Sequence, residues 1–108
     1  MNILIALDCD GTIDIGSPIG PIPVSRLYDL NNPPYIQIVM VSASPFCAML
    51  PFPRSVSENT RLENLLAAAI RYPSVLNLYV SDNPGDETNA KNAGFCYIHP
   101  NDFNLPLK

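Results

Sequence analysis

Four short apolar runs, separated by helical or proline-rich segments, constrain this chain more than any other feature. Runs of this length and composition are typical of strands buried on both faces, and such strands occur in parallel sheets covered by helices. The order of the elements therefore predicts an α/β fold. The apolar runs lie at residues 2–7, 36–41, 75–80 and 95–98.

The segments between these runs supply the expected helices. Residues 60–71 carry the clearest helical pattern, because leucine and alanine recur on one face. Thr60 and Glu63 have the spacing of a capping box, which predicts that the helix begins at this point. With two shorter helices expected at residues 24–31 and 86–93, the pattern predicts a three-layer, Rossmann-like domain. Its sheet should be mostly parallel and contain about four or five strands.

Two segments rich in proline do not fit a regular helix. In residues 13–23, prolines and glycines predict a turn-rich, flap-like loop or a short hairpin. Residues 46–56 allow either a short helical turn or a short edge strand. Neither segment is long enough for a second core, so residues 1–108 are predicted to form a single domain.

Composition and charge exclude several classes of function. The chain has 108 residues, 47% of them apolar, which suffices for one buried core. No apolar run approaches the length of a membrane span, and a net charge of −4 argues against nucleic acid or an anionic membrane as the main partner. Because the first residues lack the pattern of a secretory signal, we expect a cytoplasmic protein.

Polar side chains follow three of the apolar runs. The first run ends at Asp8, with Asp10 two residues later. The second run ends at Ser42, and the third is followed by Asp82 and Asp86. Ligands of open parallel sheets bind beyond the carboxyl ends of the strands, so we expect these side chains around one crevice. Carboxylates gathered in a small space need a positive partner, and a hard cation such as Mg²⁺ is the simplest.

The cysteines and the histidine suggest no other catalytic site. The three cysteines match neither a metal motif nor a disulfide framework. Cys9 lies between two aspartates, which should raise the pKa of its thiol and disfavour a thiolate nucleophile. Ser44 is interpreted as structural and His99 as a loop residue. A Ser-His-Asp hydrolase would depend on His99, and the chain has no nucleophile-elbow sequence.

The motifs at the strand ends resemble those of the haloacid dehalogenase superfamily of phosphatases. Residues 7–12, Leu-Asp-Cys-Asp-Gly-Thr, are similar to the first motif of that family, D-x-D-G-T after a strand. Ser42 resembles the second motif, and residues 78–86 resemble the fourth, a strand followed by D-x-x-x-D. Residues 89–95 are similar to the helix and final strand that follow, so the resemblance spans nearly the whole chain.

This resemblance implies a Mg²⁺-dependent phosphomonoester hydrolase. Asp8 would attack phosphorus and form an aspartyl-phosphate, while Asp10 would be the general acid and base. Ser42 would donate a hydrogen bond to a phosphoryl oxygen. The implied metal ligands are Asp8, the backbone carbonyl of Asp10, Asp82 and Asp86, directly or through water. Dehalogenases of the family lack an acid at the position of Asp10, which favours phosphoryl transfer.

The family's lysine ahead of the fourth motif has no counterpart in this sequence, because Lys91 and Lys108 both follow that motif. Arg61 is the best substitute by position, and Arg54 is the second. The other interpretation of either arginine is a solvated surface residue. Without a positive charge at the site, activity would be weak or absent.

The chain also lacks room for the cap domain that encloses the substrate in many family members. Residues 13–23 are the segment after the first motif, and no other insertion is large enough, so the domain is predicted to be capless. An open site suits a bulky phosphorylated substrate. It also suits closure by a second copy of the chain in a homo-oligomer.

Two other functions remain as alternatives. A catalytically weak or inactive binding or regulatory module of the same family is favoured by the missing lysine. It is disfavoured by Asp10, which binding alone does not need. A response-regulator receiver also gathers acids around Mg²⁺ at strand ends. Receivers usually have two adjacent acids after the first strand, which the spacing of Asp8 and Asp10 does not fit.

Overall fold

The computed structural model describes residues 2–56 and 60–103, and a parallel sheet lies at its centre. The strands of the sheet are β1 (Ile3–Leu7), β2 (Ile36–Met40), β3 (Leu76–Val80) and β4 (Cys96–Ile98). They lie in the spatial order β2-β1-β3-β4, and every pairing is parallel. The predicted α/β class is confirmed, with a four-stranded sheet of the Rossmann-like kind.

The direction in which successive strands are added to the sheet reverses between β1 and β3. Strand β2 is added on one side of β1, whereas β3 and β4 are added on the other. Leu7 pairs with both Met40 and Val80, so the three strands end at the same level. Such a reversal opens a crevice at the carboxyl ends of the strands, and the loops after β1 and β3 border it.

Among the described residues, three α-helices accompany the sheet: α1 (Val24–Leu30), α2 (Arg61–Arg71) and α3 (Asp86–Asn92). Thr60 caps the start of α2 as its spacing from Glu63 predicts: the Thr60 hydroxyl accepts from the Glu63 amide at 3.1 Å and donates to the Glu63 carboxylate at 2.9 Å. No α-helix in the described part of the chain has both the length and the apolar character needed to cross a bilayer.

The sheet buries apolar side chains on both faces, since successive residues of a strand point to opposite sides. On one face, Ile5 of β1 belongs to a cluster with Leu27 of α1. On the other face, Leu4 of β1 belongs to a cluster with Leu65 of α2. Helices therefore cover both faces, which explains why the strands read as continuous apolar runs.

The two proline-rich segments take less regular forms. Residues 13–23 form a turn-rich loop with one isolated bridge, between Ile13 and Ile22. Residues 46–56 combine both of the expected forms. They contain a 3₁₀ turn at Cys47–Met49 and one bridge that joins Arg54 to Met40 at the edge of the sheet.

Candidate active site

The loops after β1 and β3 lie side by side at the carboxyl edge of the sheet. The Asp8 amide donates to the Val80 carbonyl at 2.9 Å, which continues the pairing of the two strands. Gly11 lies against Asp82, and a Cβ at position 11 would overlap the Asp82 carboxylate. The φ of Gly11 is 74°, so glycine is required here for its backbone conformation as well as for space. The two segments that resemble the first and fourth motifs are thus in contact.

Asp8 directly follows β1 at the crevice, and its side chain is 15% exposed. The Cys9 amide donates to its Oδ1 at 2.8 Å. Burial raises the pKa of Asp8 above its usual value, and the charges of Asp82 and Asp86 add to the rise. The Cys9 hydrogen bond and the charge of Arg61 oppose it. A positive partner therefore favours the ionised form of this carboxylate.

Arg61, the first residue of α2, lies between Asp8 and Asp86. Its Nη2 is 3.9 Å from Asp8 Oδ1, and its Nε is 3.9 Å from Asp86 Oδ2. Its Nη1 donates to the Val41 carbonyl. Burial disfavours the charged guanidinium, but interactions with Tyr79, Asp8 and Asp86 outweigh burial and raise the pKa of Arg61. The guanidinium therefore stays charged beside the candidate nucleophile.

The second candidate arginine has different surroundings. Arg54 Nη2 donates to the Ser42 carbonyl at 3.2 Å and so holds the backbone after β2. Ser42 and Arg61 line the same cavity, of about 250 Å³, beside the start of α2. The Ser42 hydroxyl accepts from the Ser44 amide at 3.1 Å, and this bond leaves its proton available for donation to an anion. Of the two arginines, Arg61 is the one that lies beside Asp8 and Asp86.

The carboxylate of Asp10 is oriented from two loops. Its Oδ1 accepts from the Ser44 hydroxyl at 2.9 Å and from the Ser17 amide at 3.0 Å. Ser44 belongs to the loop after β2, and Ser17 belongs to residues 13–23. Sequence reasoning did not find either contact, because nothing in the local pattern indicates which distant loop meets Asp10.

Asp86 is the first residue of α3, and its side chain is buried. Its Oδ2 accepts from the Tyr79 hydroxyl at 3.1 Å and from the Ser81 hydroxyl at 2.9 Å. Sequence reasoning missed Tyr79 and Ser81, although a signal was available. A tyrosine in a buried strand needs a partner for its hydroxyl, and residues two apart on a strand point to the same side.

Cys9 and His99 are poorly placed to supply a nucleophile or a base. Cys9 is fully buried, and burial is the main cause that raises the pKa of its thiol to about 11. His99 Nδ1 accepts from the Asn101 amide at 3.1 Å, within its own 3₁₀ turn. The carboxylates of the crevice are therefore the remaining candidates for its chemistry.

The donor chemistry of the crevice fits a hard cation. Asp82 and Asp86 are close enough for their charges to raise the pKa of Asp8, and carboxylate oxygens are ligands that Mg²⁺ prefers. Within residues 2–56 and 60–103, no three His, Cys, Asp or Glu side chains are arranged to hold a metal by themselves. Mg²⁺ commonly uses one or two carboxylates and completes its shell with water and phosphate oxygens, so the residues present suit such a site.

Fold and crevice together define a parallel α/β protein with acidic side chains and an arginine at the point where strand order reverses. No protein-family model, curated protein or solved structure matches the chain. The functional interpretation therefore depends on the motifs and on the geometry of the crevice.

Proposed function

We propose that this chain is a Mg²⁺-dependent phosphomonoester hydrolase of the haloacid dehalogenase kind. The observation that carries the proposal is the position of Arg61 between Asp8 and Asp86, with 3.9 Å to each carboxylate. The family's lysine is missing from the sequence, and Arg61 offers a positive charge beside the candidate nucleophile. Phosphoryl transfer needs such a charge, because negative charge is spread over the phosphoryl oxygens in the transition state.

In the first step, a carboxylate oxygen of Asp8 forms a bond to phosphorus while the bond from phosphorus to the leaving oxygen breaks. Asp10 donates its proton to that leaving oxygen. In the second step, Asp10 takes a proton from water, whose oxygen attacks phosphorus and displaces Asp8. Phosphate leaves, and both aspartates return to their starting states. The Ser44 and Ser17 bonds to Asp10 Oδ1 hold this group in one orientation for both transfers.

Positive charge and hydrogen-bond donors at the crevice would hold the phosphoryl group. Arg61 would neutralise part of its charge, and Ser42, which lines a cavity together with Arg61, would donate a hydrogen bond. Asp8, Asp82, Asp86 and the Asp10 carbonyl are the candidate ligands of Mg²⁺. When bound, the metal would supply further charge neutralisation.

A non-enzymatic binding or regulatory module is the second candidate. The observation that favours it is that Arg61 already compensates two of the carboxylates from within the chain. A site balanced in this way can hold an anion without turning it over. Asp10, oriented by two hydrogen bonds, favours the enzyme, because simple binding has no use for an acid at that position.

The test is hydrolysis of an aryl phosphate with Mg²⁺, with EDTA, and by Asp8→Asn. We expect turnover that needs the metal, and a loss of at least about 1,000-fold in kcat in Asp8→Asn. Asp29→Asn is the matched control, because Asp29 is exposed on α1 and should leave the rate unchanged. Equal rates in all conditions would reject the mechanism. Inactivity across many phosphoesters, with phosphate binding retained, would favour the binding module.

A further inference from the structure

Tyr79 is a fully buried residue whose hydroxyl the proposed reaction does not use. It lies on β3, and its ring belongs to the apolar cluster with Leu65 and Val39. A phenylalanine would fill the same space without a polar atom to satisfy. The hydroxyl instead donates to Asp86 Oδ2 at 3.1 Å, so a hydrogen bond connects this core residue to a carboxylate of the crevice.

Several donor groups surround Asp86 Oδ2. Besides Tyr79, the fully buried Ser81 donates to it at 2.9 Å, and Arg61 Nε lies 3.9 Å away. Two hydroxyl bonds on one oxygen fix the rotation of the carboxylate. The charge that faces Arg61 therefore has a defined position, set by the side chains of Tyr79 and Ser81.

Tyr79 also contacts Arg61 directly. The guanidinium carbon lies 5.9 Å from the centre of the Tyr79 ring, which is within the range of a cation–π interaction. The guanidinium is thus surrounded by the ring of Tyr79, the carboxylates of Asp86 and Asp8, and the Val41 carbonyl. The contact with the ring and the position of the Asp86 carboxylate both depend on where Tyr79 lies.

We propose that Tyr79 is a positioning residue that, together with Ser81, sets the Asp86 carboxylate so that Arg61 is aimed at Asp8 and at a bound phosphoryl group. The phosphate part of this inference rests on the proposed function. The orienting part depends only on the contacts among Tyr79, Asp86 and Arg61. Tyr79→Phe removes the hydroxyl, with its bond to Asp86 and its hydrogen-bonding interaction with Arg61, and keeps the packing and the cation–π contact.

The experiment measures binding of inorganic phosphate to the full chain by titration calorimetry in EDTA, so that neither turnover nor metal contributes. We expect Arg61→Ala to weaken phosphate binding by at least about 10-fold and Tyr79→Phe to weaken it by about 3- to 10-fold. Combined with Arg61→Ala, Tyr79→Phe should change the affinity by less than about twofold, because its effect passes through Arg61. Tyr72→Phe is the control, a tyrosine at the other end of α2.

The outcomes separate this inference from the proposed function. An unchanged affinity in Tyr79→Phe, an equal loss with and without Arg61, or a wild-type chain that binds no phosphate would overturn the inference, even if the enzyme is active. Non-additive loss of binding supports it, even if no phosphoester is hydrolysed. If Tyr79→Phe fails to fold, Ser81→Ala removes the other donor to Asp86 and should give the same Arg61-dependent loss.

Discussion

The two sides of the crevice are built differently. On the Asp86 side, one buried carboxylate oxygen accepts from Tyr79 and Ser81 and faces Arg61, so that β3, α2 and α3 all contribute. On the Asp10 side, a half-buried carboxylate accepts from Ser44 and from the amide of an exposed loop residue. The first side is held by secondary structure and the second by loops.

This difference separates two tasks of the proposed reaction. Charge that stabilises a transition state is most effective when it is fixed in advance in a site with little water. A group that donates and accepts protons must reach the leaving oxygen and water in turn, so partial exposure is an advantage. The Asp86 side suits the first task, and the Asp10 side suits the second.

The largest effect should follow from removing the charge on the Asp86 side. Arg61→Ala leaves Asp8 and Asp86 without their shared partner, and we expect kcat/KM for an aryl phosphate to fall by about 100-fold or more. Arg54→Ala is the matched variant, because Arg54 bonds to the Ser42 carbonyl, whereas Arg61 also faces the carboxylates of Asp8 and Asp86. It should cost far less. Unchanged activity in Arg61→Ala would assign the positive charge to Arg54 or to a partner subunit.

The next effect concerns the contact between Gly11 and Asp82, which joins the loops after β1 and β3. Gly11 and Gly94 have similar backbone conformations, with φ of 74° and 84°, but only Gly11 lies against another side chain. Gly94→Ala should cost about 1–2 kcal/mol of unfolding free energy for the strained backbone. Gly11→Ala should cost a further amount of about 1–3 kcal/mol, because its Cβ must displace the Asp82 carboxylate. Denaturant unfolding measures both.

Equal destabilisation by the two glycine variants would mean that Asp82 moves aside without cost. In that case the contact between the loops after β1 and β3 would be loose.

The fold was largely predictable because its determinants are local. Apolar runs predicted every strand in the described part of the chain, and the capping box placed the start of α2 within one residue. The spacing of Asp8 and Asp10 after β1 also placed both near one edge of the sheet. These features depend on propensity and periodicity, which a single sequence carries.

Contacts between distant segments were harder to predict. Arg61 could be ranked ahead of Arg54 by position, but nothing in the sequence predicts that it lies between Asp8 and Asp86. Ser44 was interpreted as structural, and its bond to Asp10 depends on how the loop after β2 folds around a 3₁₀ turn. Such pairings are set by tertiary packing of loops, for which local sequence is a weak guide.

The smallest effect should come from the Asp10 side, where a single hydroxyl can be removed. Ser44→Ala deletes one of the two bonds to Asp10 Oδ1 and leaves the Ser17 amide bond in place. If Asp10 protonates the leaving oxygen, poor leaving groups depend on its orientation more than good ones do. We therefore expect kcat/KM to fall by about 3- to 10-fold for an alkyl phosphate and hardly at all for 4-nitrophenyl phosphate.

Ser74→Ala is the control for this prediction, because the Ser74 hydroxyl bonds to the Tyr72 carbonyl, away from the crevice. It should leave both substrates unaffected. An equal loss for both substrates in Ser44→Ala would show that Ser44 supports the shape of the loop and not the orientation of the acid. That result would leave the orientation of Asp10 to the Ser17 amide, the other donor to its Oδ1.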